Sequence, residues 1–351
     1  MTDRTATKPI NIGGLIIGGG NPIAVQSMTN TDTRDVAGTV RQIKELEEAG
    51  CELIRVAVLD MEAAQALRDI RRQINIPLAA DIHFDYRLAL AALDAGVNKL
   101  RLNPGNIGEK DRIMQVVKKA KERGVPIRIG VNGGSLEKRF HGKPVGESMA
   151  MSALDHIKIL EDLDFGNILV SMKSSSVPET IRAYRIIAES RDYPLHVGIT
   201  EPGGVFSGGI KSAAGIGAIL AMGMGDTIRV SLTGSPADEI RYCKEILKAM
   251  ELRRFGPEIV SCPTCGRTAI DLIGLAARVE DAVKDKKTPM KISIMGCSVN
   301  GPGEAASADV GITGGKGRGA VYRKGIVVAT LPEEELFDRI MREIDLYVSE
   351  H

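Results

Sequence analysis

One unit recurs eight times through the first two thirds of this 351-residue chain: a short run of β-formers, a polar or glycine-bearing tip, then a helical stretch. The runs fall at Ala24–Met28, Glu52–Val58, Pro77–His83, Lys99–Asn103, Pro126–Asn132, Asn167–Lys173, Pro194–Thr200 and Thr227–Thr233. Strands separated by helices must pair in parallel. Eight such units in about 250 residues predict a closed (β/α)8 TIM barrel, with a doubly wound open sheet as the fallback. The clearest helix opens at Ser235, a good N-cap, with Pro236 at its first position and Asp238 and Glu239 in its first turn. Its apolar stripe, Ile240, Cys243, Leu247 and Met250, has helical spacing.

After Phe255-Gly256-Pro257 the rhythm changes. A short run at Glu258–Val260 precedes a helix bearing Leu272, Ala276, Val279 and Val283, and a strand follows at Lys291–Met295. Two more strands, near Val310–Ile312 and Val321–Val328, lead to a last helix with Leu336, Ile340, Ile344 and Val348 in register. The expected division is a barrel over residues 1–254 and a small α+β domain over 255–351.

Side chains alternate across a strand, so one parity of each barrel strand faces the axis. In Lys99-Leu100-Arg101-Leu102-Asn103 one parity is wholly polar and the other apolar, and Thr227-Ile228-Arg229-Val230-Ser231-Leu232-Thr233 repeats the pattern. Arg128 and Asn132 share the inner parity of their strand, and Arg55 stands between Leu53 and Ala57 on the second. Barrels are ordinarily filled by branched apolar side chains. Four inward arginines therefore call for an anion, and arginine suits bidentate contact with phosphate. Other strand tips add Asp81 and His83, Ser171 and Lys173, and Thr200 with Glu201 before a glycine-rich loop. Any one of these can be an ion pair closing a strand end. Their convergence at the C-terminal ends, where barrel active sites lie, points to a site. Cys51 and Cys243 each stand alone among apolar neighbours and read as core thiols.

The C-terminal domain carries Cys262-Pro263-Thr264-Cys265, then Cys297, then Glu304 in Cys297-Ser298-Val299-Asn300-Gly301-Pro302-Gly303-Glu304. A CxxC turn aims two thiolates at one metal, and a third cysteine supplies another ligand. A structural zinc site closes with four Cys or His ligands, yet the only histidine beyond His196 is His351. Three cysteines favour a [4Fe–4S] cluster whose fourth iron takes an exchangeable oxygen, with Glu304 within loop reach.

Five cysteines make no disulfide framework and suit a reducing cytoplasm. Lys plus Arg number 46 against 45 Asp plus Glu, so no overall field draws nucleic acid. The start, Met1-Thr2-Asp3-Arg4, lacks a signal-like basic region, and the longest apolar stretch, Ala213 to Gly225, is glycine-broken and too short for a membrane span.

Val25-Gln26-Ser27-Met28-Thr29, Ala80-Asp81-Ile82-His83-Phe84, Leu100-Arg101-Leu102-Asn103-Pro104-Gly105-Asn106, Arg128-Ile129-Gly130-Val131-Asn132, Gly198-Ile199-Thr200-Glu201 and the Cys297–Glu304 segment resemble the bacterial 4-hydroxy-3-methylbut-2-enyl diphosphate synthases of the non-mevalonate isoprenoid pathway. The resemblance runs over essentially the whole chain. It departs at Glu201-Pro202-Gly203-Gly204, where the family pattern is Glu-Ala-Gly-Gly. It implies reductive ring opening of 2-C-methyl-D-erythritol 2,4-cyclodiphosphate to a linear allylic diphosphate and water, with two electrons from flavodoxin or ferredoxin passing through the cluster. On that reading the cyclic diphosphate meets the arginines, and Glu201 donates a proton to the departing hydroxyl. A non-redox barrel binding a phosphorylated ligand, like the pterin-binding synthases, with a structural metal domain, is the alternative. A non-enzymatic iron sensor is a third reading, which leaves the arginine-lined barrel unexplained.

Topology adds an expectation about assembly. The helix after Ser235, about 24 Å long at 1.5 Å per residue, returns the chain to the barrel's far face. Leu252 to Pro257 span about 20 Å at most, too little to bring Cys297 round to its own barrel mouth. The expectation is a homodimer in which each cluster domain caps the partner's barrel.

Overall fold

The computed structural model describes residues 4, 6–103, 105, 107, 109–140 and 142–351. Met1 to Asp3, and Pro104 and Asn106 of the Leu100–Asn106 motif, lie outside the described residues. The chain forms two compact units, one ending at Arg253 and the other beginning at Arg254.

The first unit opens with a hairpin, β1 (Ile10–Ile12) and β2 (Leu15–Ile17). There follow β3 (Ala24–Met28), α1 (Val36–Ala49), β4 (Leu53–Val58), α2 (Met61–Arg72), β5 (Leu78–Ile82), α3 (Tyr86–Ala95), β6 (Lys99–Leu102) and α4 (Lys110–Arg123). The second half continues with β7 (Ile127–Asn132), α5 (Val145–Glu161), β8 (Ile168–Lys173), α6 (Val177–Ser190), β9 (His196–Val197), α7 (Val205–Ala221), β10 (Thr227–Ile228) and α8 (Pro236–Ala249). The strands pair in parallel in the order β8-β7-β6-β5-β4-β3-β10-β9. A parallel bridge between Val170 and Leu195 joins the two ends into a nearly closed barrel.

Local chemistry sets the helix boundaries. Asp35, Asp60, Asp85, Ser176 and Ser235 each cap a helix by accepting from a first-turn amide. Gly50, Gly96 and Gly124 end α1, α3 and α4 in left-handed backbone, which lacks steric cost only for glycine.

Two features depart from the sequence expectations in this unit. β9 and β10 stop short of the expected Pro194–Thr200 and Thr227–Thr233, and beyond them the ladder is reduced to single contacts, the Arg229 amide donating to the Val197 carbonyl (2.9 Å) and a parallel bridge joining Gly204 to Thr233. The β1/β2 hairpin, turning at Gly13 and Gly14 with φ of 60° and 103°, was not expected at all. Its Ile10, Ile12 and Ile17 pack on Ala24, Leu53, Ala79 and Leu169 near the strand beginnings and close the N-terminal end of the barrel. Asp226 holds the segment before that hairpin, accepting from Arg4 (3.1 Å) and Thr7 (3.0 Å) as well as from the Leu195 amide (2.8 Å). Where the chain leaves the barrel, Arg253 donates to the Ile23 carbonyl (2.8 Å) and to Glu52 (2.6 Å). Both partners precede strands, so Arg253 is fastened to the N-terminal face.

The second unit is built from β11 (Pro257–Ser261), α9 (Leu272–Val283), β12 (Met290–Met295), α10 (Gly301–Ala306), β13 (Val310–Gly315), β14 (Arg318–Arg323), β15 (Ile326–Pro332) and α11 (Leu336–Glu350). The sheet runs β11-β12-β13-β14-β15, with its first two pairings parallel and its last two antiparallel. The expected single strand at Val321–Val328 is instead the turn of a hairpin. Lys324 and Gly325 take consecutive positive φ of 48° and 82°, the two-residue geometry that matches strand twist. The expected loop between Cys297 and Glu304 also departs, because its second half coils into α10.

Among the described residues, no helix is long and apolar enough to cross a membrane. The second unit has its own core, in which Val279, Ile292, Ile294, Val310, Ile312, Val321, Ile340 and Ile344 are all fully buried. Ile312→Ala should therefore destabilise this unit by about 2–5 kcal/mol. Calorimetry of the intact chain should show the loss in the transition of the second unit and leave the barrel's transition in place. A uniform downward shift of both would mean that the two cores unfold as one.

Candidate functional site

At the C-terminal ends of the barrel strands lies a cleft of about 140 Å³. Its walls are Arg55, Asp81, His83, Arg101, Arg128, Asn132, Ser171, Lys173, Thr200, Arg229 and Ser231. The inner parity of five strands, β4 to β8, and the segments that follow β5, β9 and β10 therefore converge on one space. Asn103 lines a smaller recess beside it with His83, Phe84 and Arg101, and its Oδ1 accepts from the Gly130 amide at 2.9 Å. Glu201 does not line the cleft. It is exposed at the barrel mouth in left-handed backbone, φ 50°, a conformation uncommon for a residue with a side chain.

Five cations meet one carboxylate on these walls. Asp81 bridges Arg101 (3.1 Å) and Arg55 (3.6 Å) and lies 3.4 Å from His83 Nε2. Burial alone would raise its carboxyl, but Arg55, the His83 hydrogen bond and Arg101 together hold it well below the usual carboxylate range. Burial pulls Arg55 down to about 10 against the attraction of Asp81. Arg128 is 1% exposed and donates to Ser171 Oγ at 2.7 Å, while its Nε and one Nη have no partner among the described residues. Burial, then Arg55 and Arg101, push it well below its ordinary value. Buried donors without partners are costly, so this guanidinium is prepared for an acceptor that the protein does not itself supply.

Several residues that shape the cleft escaped the sequence reading. Glu239 of α8 reaches under the sheet to Arg229 (3.3 Å) and also accepts from the Leu232 amide. Met28 Sδ lies 2.9 Å from Arg55 and 3.6 Å from Arg229, a neutral soft acceptor between two guanidiniums. Lys99, fully buried, donates to Gln26 at 2.8 Å, and His196 stands behind Lys173. Lys99 and His196 share the polar parity of site residues on their strands, a signal available in the sequence. Glu239 carries none, because a first-turn acid on a helix ordinarily serves the helix dipole.

In the second unit, β11 and β12 are parallel neighbours, with Ser261 opposite Ile294. Cys262 and Cys297 therefore leave adjacent strand ends, and the Gly296 amide donates to Cys262 Sγ at 3.3 Å. The Cys265 amide donates to Thr268 Oγ1 at 3.1 Å, closing the CxxC turn. The Val299 amide, with that of Asn300 and the Arg267 side chain, pulls the Cys297 thiol below its ordinary value despite some burial. Glu304 is exposed on α10. Among the described residues, no three Cys, His, Asp or Glu side chains already gather around one metal ion. A cluster takes one ligand at each iron corner, so its ligands stand farther apart than those of a single ion. Three thiols, two of them leaving adjacent parallel strand ends and none paired in a disulfide, suit such a donor set.

Fold and site together define a parallel (β/α)8-barrel protein whose interior gathers five cations around one carboxylate, joined to an α+β unit carrying three exposed or half-exposed thiols. The chain matches the GcpE TIM-barrel domain over residues 7–244 and the GcpE protein C-terminal domain over residues 258–346, and it belongs to the GcpE family. It is 54% identical to 4-hydroxy-3-methylbut-2-en-1-yl diphosphate synthase (flavodoxin) of Bacillus mycoides, covering 100% of this chain and 97% of that protein. The protein of the same name from Brevibacillus brevis is 52% identical, over 100% of this chain and 98% of its own. Among solved structures, the dihydropteroate synthase of Stenotrophomonas maltophilia superposes on 70% of this chain and 98% of its own with a TM-score of 0.52 at 16% identity, a likeness of fold.

Opposite stability effects are expected from two residues of this cleft. Arg128→Met keeps the volume and removes an unpaired buried charge, so it should leave the melting temperature unchanged or raise stability by about 1–2 kcal/mol. Asp81→Asn removes the anion between two guanidiniums and should cost about 3–5 kcal/mol. Thermal melts of the two variants check this directly. A destabilised Arg128→Met would assign that arginine to the fold rather than to a ligand.

Proposed function

We propose that this chain catalyses the reductive ring opening and dehydration of 2-C-methyl-D-erythritol 2,4-cyclodiphosphate to 4-hydroxy-3-methylbut-2-enyl diphosphate. The observation that carries the reading is the uncompensated cation cluster of the cleft, and the family membership supplies the reaction. In this reaction two carbon–oxygen bonds break and one carbon–carbon double bond forms, which requires two electrons, while the hydroxyl leaves as water after taking a proton. Arg55, Arg101, Arg128, Arg229 and Lys173 bind the diphosphate through charge-assisted hydrogen bonds. Asp81 holds two of those guanidiniums apart, and Asn103, Asn132, Ser171, Thr200 and Ser231 orient the carbon skeleton and its hydroxyls. His83, half exposed beside Asp81, borders the same end. Glu201 at the rim delivers the proton.

Cys262, Cys265, Cys297 and Glu304 would hold a [4Fe–4S] cluster, and it supplies the one-electron chemistry that no side chain here provides. The names of the relatives carry flavodoxin, which we take as the electron donor. The working compartment is the cytoplasm, where these thiols stay reduced. The non-redox, pterin-synthase-like reading is not favoured. It accounts for the barrel alone, whereas relatives at over 50% identity span both units.

The assembly we propose is a homodimer in which each thiol-bearing unit serves the partner's barrel. Its support is the exit of the chain at the N-terminal face, where Arg253 is fastened, four residues before β11 begins.

Anaerobically prepared protein should be brown, and should turn over the cyclodiphosphate with reduced flavodoxin. Colourless, inactive protein with bound zinc would overturn the reading. Glu304→Ala should assemble the cluster but lose it faster, whereas Cys297→Ala should prevent assembly. Mixed dimers of an Arg128→Ala chain with a Cys297→Ala chain should regain activity absent from either homodimer, since one composite site is intact. Proven mixed dimers without activity would place both halves of the site on one chain.

A further inference from the structure

Lys173, like Arg128, sits in the cleft with a neutral partner in place of a carboxylate. It is 7% exposed, and among the described residues its ammonium has no carboxylate partner. Its hydrogen bond goes backward, to His196 Nε2 at 3.2 Å. His196 is fully buried, and its Nδ1 lies 2.6 Å from Thr227 Oγ1 on the neighbouring strand. The backbone under the ring is held as well, because Tyr184 Oη donates to the His196 carbonyl at 2.6 Å and itself accepts from the Met172 amide. Burial first, then Lys173 and the cations beyond it, keep His196 neutral at ordinary pH. A neutral ring has one acceptor nitrogen and one donor nitrogen. Burial, then Arg128 and the other arginines, push Lys173 well below its ordinary value; an anion in the cleft restores its ammonium, which then needs an acceptor, so Nε2 carries the lone pair and Nδ1–H donates to Thr227.

A second wall confines the same ammonium. A Cβ placed on Gly198 would stand 2.8 Å from Lys173 Nζ and 2.5 Å from the Arg229 carbonyl. The Lys173 head therefore passes over bare backbone where any side chain would push it aside. Gly198 adopts no left-handed backbone, so its requirement is space alone.

Taken together, the geometry points to His196 as a positioning residue for anion recognition. Locked by Thr227, its neutral imidazole holds the Lys173 ammonium over Gly198 and aims it at a phosphate oxygen in the cleft. A carboxylate in that place would also hold the lysine, but it would neutralise the charge the anion needs. An imidazole orients the lysine and leaves its charge free. This inference rests on the diphosphate reading of the cleft, and binding of inorganic pyrophosphate separates the two.

Pyrophosphate affinity is measured by calorimetry on the full-length protein, with melting temperature recorded for every variant. His196→Leu should weaken binding about tenfold or more, the worth of a charge-assisted hydrogen bond. His196→Gln, whose amide oxygen faces Lys173 and whose amino group faces Thr227, should recover most of that loss. In a Lys173→Ala background His196→Leu should weaken binding no further. With the cyclodiphosphate, His196→Leu should raise KM more than it lowers kcat. Wild-type affinity in His196→Leu, equal loss in the Lys173→Ala background, or no rescue by glutamine would overturn the assignment. If His196→Leu does not fold, Thr227→Val carries the test: it should weaken pyrophosphate binding severalfold with little change in melting temperature, and unchanged affinity in that variant overturns the proposal. A wild-type protein that ignores pyrophosphate would overturn the diphosphate reading itself.

Discussion

Like charges crowded inside a barrel are the constraint around which this molecule is arranged. Two unit charges about 4 Å apart interact by about 4 kcal/mol at the effective dielectric of a partly wet site, and a whole domain is stable by only about 5–15 kcal/mol. Arg55, Arg101, Arg128, Arg229 and Lys173 face one cleft, with Lys99 buried below. The fold tolerates them because two carboxylates are threaded between them. Asp81 pins Arg55 and Arg101 from the floor of the cleft, and Glu239 pins Arg229 from the helix layer. Arg128 and Lys173 are left with only neutral partners, Ser171 and His196. On the proposed reading, that remainder is what a bound anion would offset.

The backbone carries this load by separating layers along the barrel axis. The N-terminal end is dry: Ile10, Ile12 and Ile17 of the hairpin close it against Ala24, Leu53, Ala79 and Leu169. Above them come Lys99 and Gln26, then the arginines, then the rim. Parallel strands start at one face and end at the other, so a single inner parity runs from apolar to charged within a few residues. Stability is concentrated at the bottom and function at the top.

Most of this order is legible in the sequence because a two-residue period is hard to counterfeit. Lys99-Leu100-Arg101 places both cations on one face whatever the tertiary context, and strand ends from β3 to β8 follow from the proline, glycine and polar residues that bracket each run. Long-range geometry is what escapes. The turns at Gly13-Gly14 and Lys324-Gly325 depend on positive φ that several residue types accommodate, so two hairpins were hidden in runs that read as loop or as one strand. Glu239 belongs to a helix whose own needs explain an acid at that place, and nothing local announces that its carboxylate reaches Arg229. His196 shares a parity with site residues, but only the folded barrel brings Lys173 and Thr227 to its two nitrogens.

Why the thiols occupy a separate unit follows from the same electrostatics. A thiolate set among five cations would be drawn into ion pairs with the guanidiniums and would compete with any phosphate for them. Placed after β11 and β12, Cys262 and Cys297 find amide donors instead, the Gly296 N–H for one and the Val299 N–H for the other. At Cys297 the Arg267 side chain joins these backbone donors. Both units obey one rule nonetheless, since each sets its chemistry at the C-terminal ends of adjacent parallel strands, where backbone donors are open and loops are free to vary. With the barrel's C-terminal end lined by five cations and its N-terminal end sealed by the hairpin, a soft-metal site has no room within the barrel itself. A second sheet, with a short parallel portion of its own, is the economical way to provide one.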